Sequence, residues 1–383
     1  MQRLQVSLNA RGQRYEIKIG GGLLDTAGHE IRQVLGRQTL RVAIISNKPV
    51  FDLYGARIRA TLRAEDFIVT RWLMREGERF KSLPTVEKAL LFLSESNFDR
   101  TDALVALGGG VVGDLAGFAA AVYLRGVPFI QMPTTLIAQI DAATGGKTGV
   151  NLPLGKNLVG AFHHPRKVLI DTETLKTLPP RELTAGWCES IKQAAVSSRT
   201  LFEQTISFLD SVRSNPKALV SPALEDLIKR HCACKASVVA GDEREAPGRT
   251  DYRSRRILNF GHTTGHALEV VTRYRRFRHG EAVGHGMLVA GEISKNLGLL
   301  ASSELELLRE AISMCGPLPK ASDLDESAII RFIQRDKKSV AGQLKWVLLE
   351  RIGRARIVDQ KEITPRLLRE SLRAGLKKST KTV

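Results

Sequence analysis

Only four of the 383 residues are cysteine, Cys188, Cys232, Cys234 and Cys315. Four cysteines at irregular spacing exclude a disulfide framework, and Cys232 and Cys234 are expected to be inert residues of a helix. Aromatic side chains make up 5%, too few stacking platforms for a single-strand nucleic-acid binder. No apolar run approaches the ~18 residues of a membrane span. The opening stretch MQRLQVSLNARGQRYEIKIG has no apolar signal region, so a cytoplasmic protein without membrane contact is expected. Acidic residues are also in deficit, with 40 Asp+Glu against 58 Lys+Arg and a net charge of +18. Arginine is dense in residues 249–256 and 273–278, and the tail over residues 366–381 is basic. A nucleic-acid binder shares that composition, but no binding motif accompanies it and nucleic acid is not expected as a partner. A basic surface equally attracts phosphorylated, carboxylated small molecules.

What is present suits a soluble globular protein. The hydrophobic fraction is 43%, and the length predicts two domains. VSLNARGQRYEIKIG reads as two strands joined by a polar turn, and RVAIIS, IVTRWLM, DALVALGGG, PFIQMPTT and KVLIDT as buried strands separated by helical stretches. That alternation predicts an α/β domain with a mostly parallel, Rossmann-like sheet over residues 1–177. After LPPRE the β-rich runs disappear. SFLDSVRSNPKALVSPALEDLIKRH, ELELLREAISM and ESAIIRFIQR read as amphipathic helices, and residues 178–383 are expected to form an all-α domain.

Three segments carry chemistry. Gly108, Gly110 and Gly113 satisfy GxGxxG between a buried strand and an apolar helix, where backbone can approach a pyrophosphate closely and free N–H groups face it. The acid that normally follows about 20 residues later to hold a ribose is missing, so the loop reads either as a nucleotide site or as a tight structural turn. In PTTLIAQIDAATGGKTGVNLPLGKN, Thr134, Thr135 and Asp141 precede Lys147 and Lys156, two lysines beside glycines. Lysines so placed favour an anion site over plain surface. In NFGHTTGHALEVVTRYRRFRHGE, His262 and His266 lie four apart, on one face of a helix, and His279 follows. Imidazoles in that pattern can bind zinc, with a hydrogen-bonded structural pair as the alternative.

The order of GGGVVGDLAGFAAA, PTTLIAQIDAATGGKTGVNLPLGKN, LPPRELTAGWCESIK, LNFGHTTGHALE, HGEAV and RDKKSVAG resembles the 3-dehydroquinate synthase family, of the sugar-phosphate cyclase superfamily, over nearly the whole chain. The resemblance implies a homodimer whose protomer holds NAD in the α/β domain and a divalent metal, Zn2+ or Co2+, in the helical one, with the site in the cleft. It implies conversion of 3-deoxy-D-arabino-heptulosonate 7-phosphate to 3-dehydroquinate and phosphate in the shikimate pathway. The steps would be transient oxidation by NAD, phosphate elimination, re-reduction and aldol cyclisation.

Carried over by motif, the metal ligands would be Glu189, His262 and His279, with His266 off the metal as a polar group beside the reacting centre. The substrate residues would be Asp141, Lys147, Lys192, Lys235, Arg255, Asn259 and Lys337, with Lys338 as the alternative to Lys337. For NAD the carry-over names Glu78, Lys81, Gly109, Gly110, Val111, Gly113, Asp114, Thr134 and Thr135, with Asp141, Lys147, Lys156 and Asn157 beside them. This chain departs from the family at Asn47 and Pro49, at Gln193 and at Ala142 and Ala143. It also carries a longer stretch, APGRTDYRSRR, in which Arg255 is placed by its distance before Asn259, against Arg253 and Arg256. The alternatives are a sister cyclase of the 2-deoxy-scyllo-inosose, epi-valiolone or amino-dehydroquinate type, and a metal-dependent alcohol dehydrogenase. Retention of Lys235, Arg255 and His266 favours a carboxylated substrate over the sister sugars.

Overall fold

The computed structural model describes residues 1–7, 14–153, 155–246, 248–336 and 344–377. The chain divides into two units, Met1–Leu178 with Lys217–Ala236, and Pro179–Pro216 with Ser237–Val383.

In the first unit the strands are β1 (Gln2–Ser7), β2 (Arg14–Gly20), β3 (Arg41–Asn47), β4 (Ile68–Met74), β5 (Ala103–Gly108), β6 (Phe129–Pro133), β7 (Lys147–Leu152), β8 (Gly155–Phe162) and β9 (Lys167–Asp171). Seven of them form one sheet in the order β1-β2-β9-β6-β5-β3-β4. Only β1 runs antiparallel to its neighbour. Every residue of β5, β6 and β9 is buried, as expected of parallel strands covered on both faces. Alternation along β3 sorts the two faces. Ala43 and Ile45 pack with Val86, Leu93 and Leu115 from α3 (Leu83–Glu95) and α4 (Gly110–Val122), while Val42 and Ile44 pack with Ile31, Ile58 and Leu62 from α1 (Ala27–Leu35) and α2 (Lys48–Ala64). The chain runs from β3 out to the edge strand β4 and returns to β5 on the other side of β3. Strand order therefore reverses between β3 and β5, and open α/β sheets bind ligands beyond the carboxyl ends of strands at such a switch point.

The second unit contains α5 (Pro180–Ser197), α6 (Arg199–Ser214), α8 (His262–Val271), α9 (His279–Asn296), α10 (Ser302–Met314), α11 (Glu326–Asp336) and α12 (Pro365–Leu376), while α7 (Pro222–Gly241) lies between α6 and α8 in the chain. Among the described residues no helix is long and apolar enough to cross a membrane.

Four features differ from the sequence reading. The stretch from Ser207 to His231 is not one helix. It breaks after Ser214, passes through a turn at Pro216–Val220 and restarts at Pro222, because proline cannot donate within a helix interior but suits a first turn. Most of α7 groups with the first unit. There Lys229 Nζ donates to Gln2 Oε1 at 2.9 Å, Glu225 Oε1 accepts from Gly21 N at 2.8 Å, and Cys232 Sγ lies 3.3 Å from Gln139 O. β-structure also continues past Leu178, since β10 (Lys345–Arg351) and β11 (Arg354–Asp359) form an antiparallel hairpin turned at Gly353, φ +88°. Finally, the lysine-bearing glycine-rich stretch is itself the β7–β8 hairpin.

Candidate functional site

In the first unit the glycines sit where the switch point places them. β5 ends at Gly108, and α4 begins at Gly110 with Gly109 as its cap, so the free N–H groups of the first turn and the positive end of the helix dipole face the carboxyl edge of the sheet. Val111 and Gly113 occupy that first turn and Asp114 follows it, and Thr134 N donates to Gly108 O at 3.0 Å, which sets Thr134 and Thr135 beside the loop. A nucleotide pyrophosphate fits this backbone arrangement.

One polar network extends from it. Lys81 Nζ donates to Asp114 Oδ2 and to Asn157 Oδ1, each at 2.6 Å. Asn151 Nδ2 donates to Glu78 Oε1 at 2.9 Å, its Oδ1 accepts from Asn157 N at 2.9 Å, and its own N–H reaches Lys81 O at 2.8 Å. Lys156 Nζ completes the set 3.8 Å from Glu78 Oε1. Burial works against the charge on Lys81, but the carboxylates of Asp114 and Glu78 outweigh it and hold the ammonium above its ordinary pKa. The sequence reading missed Asn151, which links Glu78, Lys81 and Asn157. Its signal was a lone asparagine between glycine-rich turns. Asn47 is occupied as the cap of α2, where Oδ1 accepts from Val50 N at 3.1 Å with Pro49 in the first turn.

Also in this unit, Lys235 Nζ pairs with Asp141 Oδ1 at 2.5 Å and donates to the Asp141 carbonyl. Lys147 is exposed at the start of β7. Cys232 is inert, since burial pushes its thiol up to about 12.

In the second unit the histidines converge. His262 begins α8, His266 lies one turn on, and His279 begins α9. One ring nitrogen from each lies within 4.8 Å of the others, and the ring centroids are 5.2 to 5.8 Å apart. Close backbone approach makes this possible. A Cβ on Gly280 would lie 1.9 Å from Ala185 O, and one on Gly286 would lie 1.9 Å from Gly261 O. Glycine therefore lets α9 touch α5 at its first turn and the start of α8 near its middle. The first contact sets His279 beside Glu189, one turn beyond Ala185, with Nε2 3.8 Å from Glu189 Oε1.

Glu189 is buried, and Lys192 Nζ lies 2.7 Å from its Oε2. Neither carboxylate oxygen receives a hydrogen bond of proper geometry among the described residues. Burial, followed by the charges of Lys192 and the neighbouring imidazoles, holds His262 well below the ordinary histidine pKa, so it is a neutral donor. Its Nδ1 lies 3.2 Å from Phe260 O, which leaves Nε2 free. Two imidazoles and a buried carboxylate fit a divalent metal such as Zn2+ or Co2+.

Arg255 is buried, with Nη1 donating to Glu243 O at 2.8 Å and its backbone N–H to Asp242 Oδ2 at 2.9 Å. Arg253 is exposed beside the Tyr252 ring and Asn259 is exposed at the end of the Arg255–Asn259 turn. Lys337 and Lys338 lie outside the described residues.

The family models described as 3-dehydroquinate synthase N-terminal and C-terminal match residues 71–185 and 186–339. A 3-dehydroquinate synthase of Synechococcus sp. is 43% identical over 97% of this chain and 98% of its own length. That of Azotobacter vinelandii is 44% identical over 93% and 92%. A solved 2-deoxy-scyllo-inosose synthase, complexed with carbaglucose-6-phosphate, NAD+ and Co2+, superposes with a TM-score of 0.83 at 26% identity, over 98% of this chain and 100% of the other. A 2-epi-5-epi-valiolone synthase from Streptomyces hygroscopicus with NAD+ and Zn2+ bound also gives 0.83, at 28% identity over 96% and 98%. An iron-containing alcohol dehydrogenase, 15% identical with a TM-score of 0.63 over 94% and 97%, shares the fold alone. With both halves matched and full-length relatives above 40% identity, the chain belongs to the 3-dehydroquinate synthase family.

Proposed function

We propose that this protein converts 3-deoxy-D-arabino-heptulosonate 7-phosphate to 3-dehydroquinate and phosphate, a carbon–oxygen lyase reaction of the shikimate pathway. It uses NAD as a catalytic, regenerated cofactor and Zn2+ or Co2+ as a resident metal. The observation that carries the reading is the convergence of His262 and His279, with the buried carboxylate of Glu189 3.8 Å from His279, in a chain of this family.

When bound, NAD would supply reversible hydride acceptance and the metal would acidify the substrate hydroxyl. The chain's own residues do the rest. The first turn of α4, Thr134, Thr135 and the network of Glu78, Lys81, Asp114, Lys156 and Asn157 hold the nucleotide. Glu189, His262 and His279 hold the metal, and His266 stays off it as a polar group able to carry a proton beside the reacting centre. Lys147, Lys192, Lys235 and Lys337 supply point charges for the phosphate and carboxylate, Arg255 a planar fork for two oxygens, and Asn259 a hydroxyl partner. Asp141 holds the Lys235 ammonium through two contacts. The protein is further proposed to act in the cytoplasm as a homodimer, with residues 1–177 as its nucleotide domain and 178–383, apart from Lys217–Ala236, as its metal domain. Light scattering of the purified protein tests the dimer.

The decisive experiment incubates metal-loaded protein with catalytic NAD and the heptulosonate phosphate. Phosphate and dehydroquinate in equal amounts, with no net NADH, are expected. No phosphate release would move the substrate to the sister sugar phosphates, and accumulating NADH would make the protein a dehydrogenase.

A further inference from the structure

Glu269 takes no part in the scheme above, yet it lies on the same face of α8 as the histidine pair, three residues past His266 and seven past His262. Its side chain is 4% exposed, and Oε2 lies 3.3 Å from His279 Nδ1. An ionised carboxylate is costly to bury unless a partner uses its charge. The main chain reinforces the contact. Glu269 O accepts from Tyr274 N at 2.7 Å and from Thr272 Oγ1 at 3.2 Å. These bonds pin the start of the turn that leads to His279, in which Arg273 and Tyr274 both take positive φ, 53° and 55°.

The two ring nitrogens of His279 therefore face different groups. Nδ1 meets Glu269, and Nε2 meets Glu189 at 3.8 Å. His262 is arranged alike but with a neutral acceptor, the Phe260 carbonyl, at Nδ1. We propose that Glu269 is the positioning residue of the metal centre. It accepts the Nδ1–H of His279, fixes the tautomer whose lone pair is on Nε2, and lends that ring the negative charge that makes it the stronger donor of the two. This rests on the reading of Glu189, His262 and His279 as metal ligands. Carboxylate partners of ligating histidines typically change metal affinity by about 10- to 100-fold.

The test uses the full-length protein, apo and loaded with Zn2+ or Co2+. Zinc affinity is measured by competition with a chromophoric chelator for wild type, Glu269→Gln, Glu269→Ala and His262→Ala. The ring-nitrogen NMR spectrum of wild-type protein gives the tautomer of His279 without any substitution in the turn. Expected are a zinc affinity about 10- to 100-fold weaker in Glu269→Gln, at least as weak in Glu269→Ala, an altered visible spectrum of the Co2+ form, and an Nδ1–H, Nε2-ligated His279 in wild type. Wild-type affinity and Co2+ spectrum in both Glu269 variants, or a His279 ligated through Nδ1, would overturn the assignment. Wild-type protein that takes up no zinc, or His262→Ala that binds as wild type, would instead sink the ligand reading on which it depends.

Discussion

Gly280→Ala tests whether the metal centre is built by helix contact. The new Cβ would lie 1.9 Å from Ala185 O, 2.6 Å from Ala185 C and 2.7 Å from its Cα, where ordinary contact begins at 3.4 Å. All three obstructing atoms are backbone, so no rotamer change relieves the clash. α5 and α9 must separate by about 1.5 Å at the crossing, or one of them must bend, and overpacking of this kind costs about 1–3 kcal/mol. Glu189 lies one turn from Ala185, and His279 adjoins Gly280. The displacement therefore falls on the 3.8 Å separation between His279 Nε2 and Glu189 Oε1. Metal sites tolerate about 0.2 Å in their ligand distances, several times less than the required shift. Zinc affinity should fall at least about tenfold, or 1.4 kcal/mol. Urea unfolding of the apo protein reads the first effect, and chelator competition the second. Gly241→Ala is the control, since its nearest atom would be Arg253 O at an ordinary 3.7 Å and its φ is not positive. If Gly280→Ala unfolds within about 0.5 kcal/mol of wild type and binds zinc as well, the helix contact does not set the site.

His262→Ala should abolish stoichiometric zinc binding while His266→Ala keeps it, read by metal analysis after gel filtration, and equal loss in both would overturn the ligand assignment. Lys81→Met leaves Asp114 without its 2.6 Å ion pair and should cost about 3 kcal/mol of stability as well as NAD affinity. Unchanged urea midpoint and NAD titration would refute the network's role. Burial pushes His231 down to about 3 from an ordinary 6.5. Its folded pKa is below the unfolded value, so the associated stability is present above pH 6.5 and lost as pH falls toward 3, at about 1.4 kcal/mol per pH unit at most. His231→Phe should flatten that part of the stability profile, and an unchanged slope between pH 6 and 4 would count against it. Glu30 is held below 4.5, because hydrogen bonds from Lys167 and Lys18 outweigh its burial. Its contribution is therefore present above pH 4.5 and lost below, and Glu30→Gln should show no such loss in urea titrations.

Legibility in the sequence followed the range of the interaction. Strands β3, β5, β6 and β9 were readable because each is buried over all or most of its length and is mainly apolar there. The glycine turn and the histidine pair were readable because their chemistry needs fixed local spacing. The hairpins were not. β8 mixes glycines and polar residues with apolar ones and is nowhere buried, and the turn of β10–β11 depends on a positive φ at Gly353 that no periodicity encodes. The affiliation of α7 was hidden for a similar reason, since Glu225, Lys229 and Cys232 find their partners about 90 to 230 positions away.

The candidate metal centre sharpens the point. The identity of its donors is local information, but the distance between them is not. His279 meets Glu189 only because Gly280 removes a side chain at the crossing with α5. Glu269 reaches His279 only because α8 and the turn after it return the chain to the same place. A sequence pattern can name histidines, carboxylates and glycines as separate signals. In the folded unit the glycines bring the histidines together, and a carboxylate ten residues before His279 lies against that ring's Nδ1. Side chains that never touch the metal should accordingly change its affinity, and Gly280 and Glu269 are the positions where that argument is most exposed to refutation.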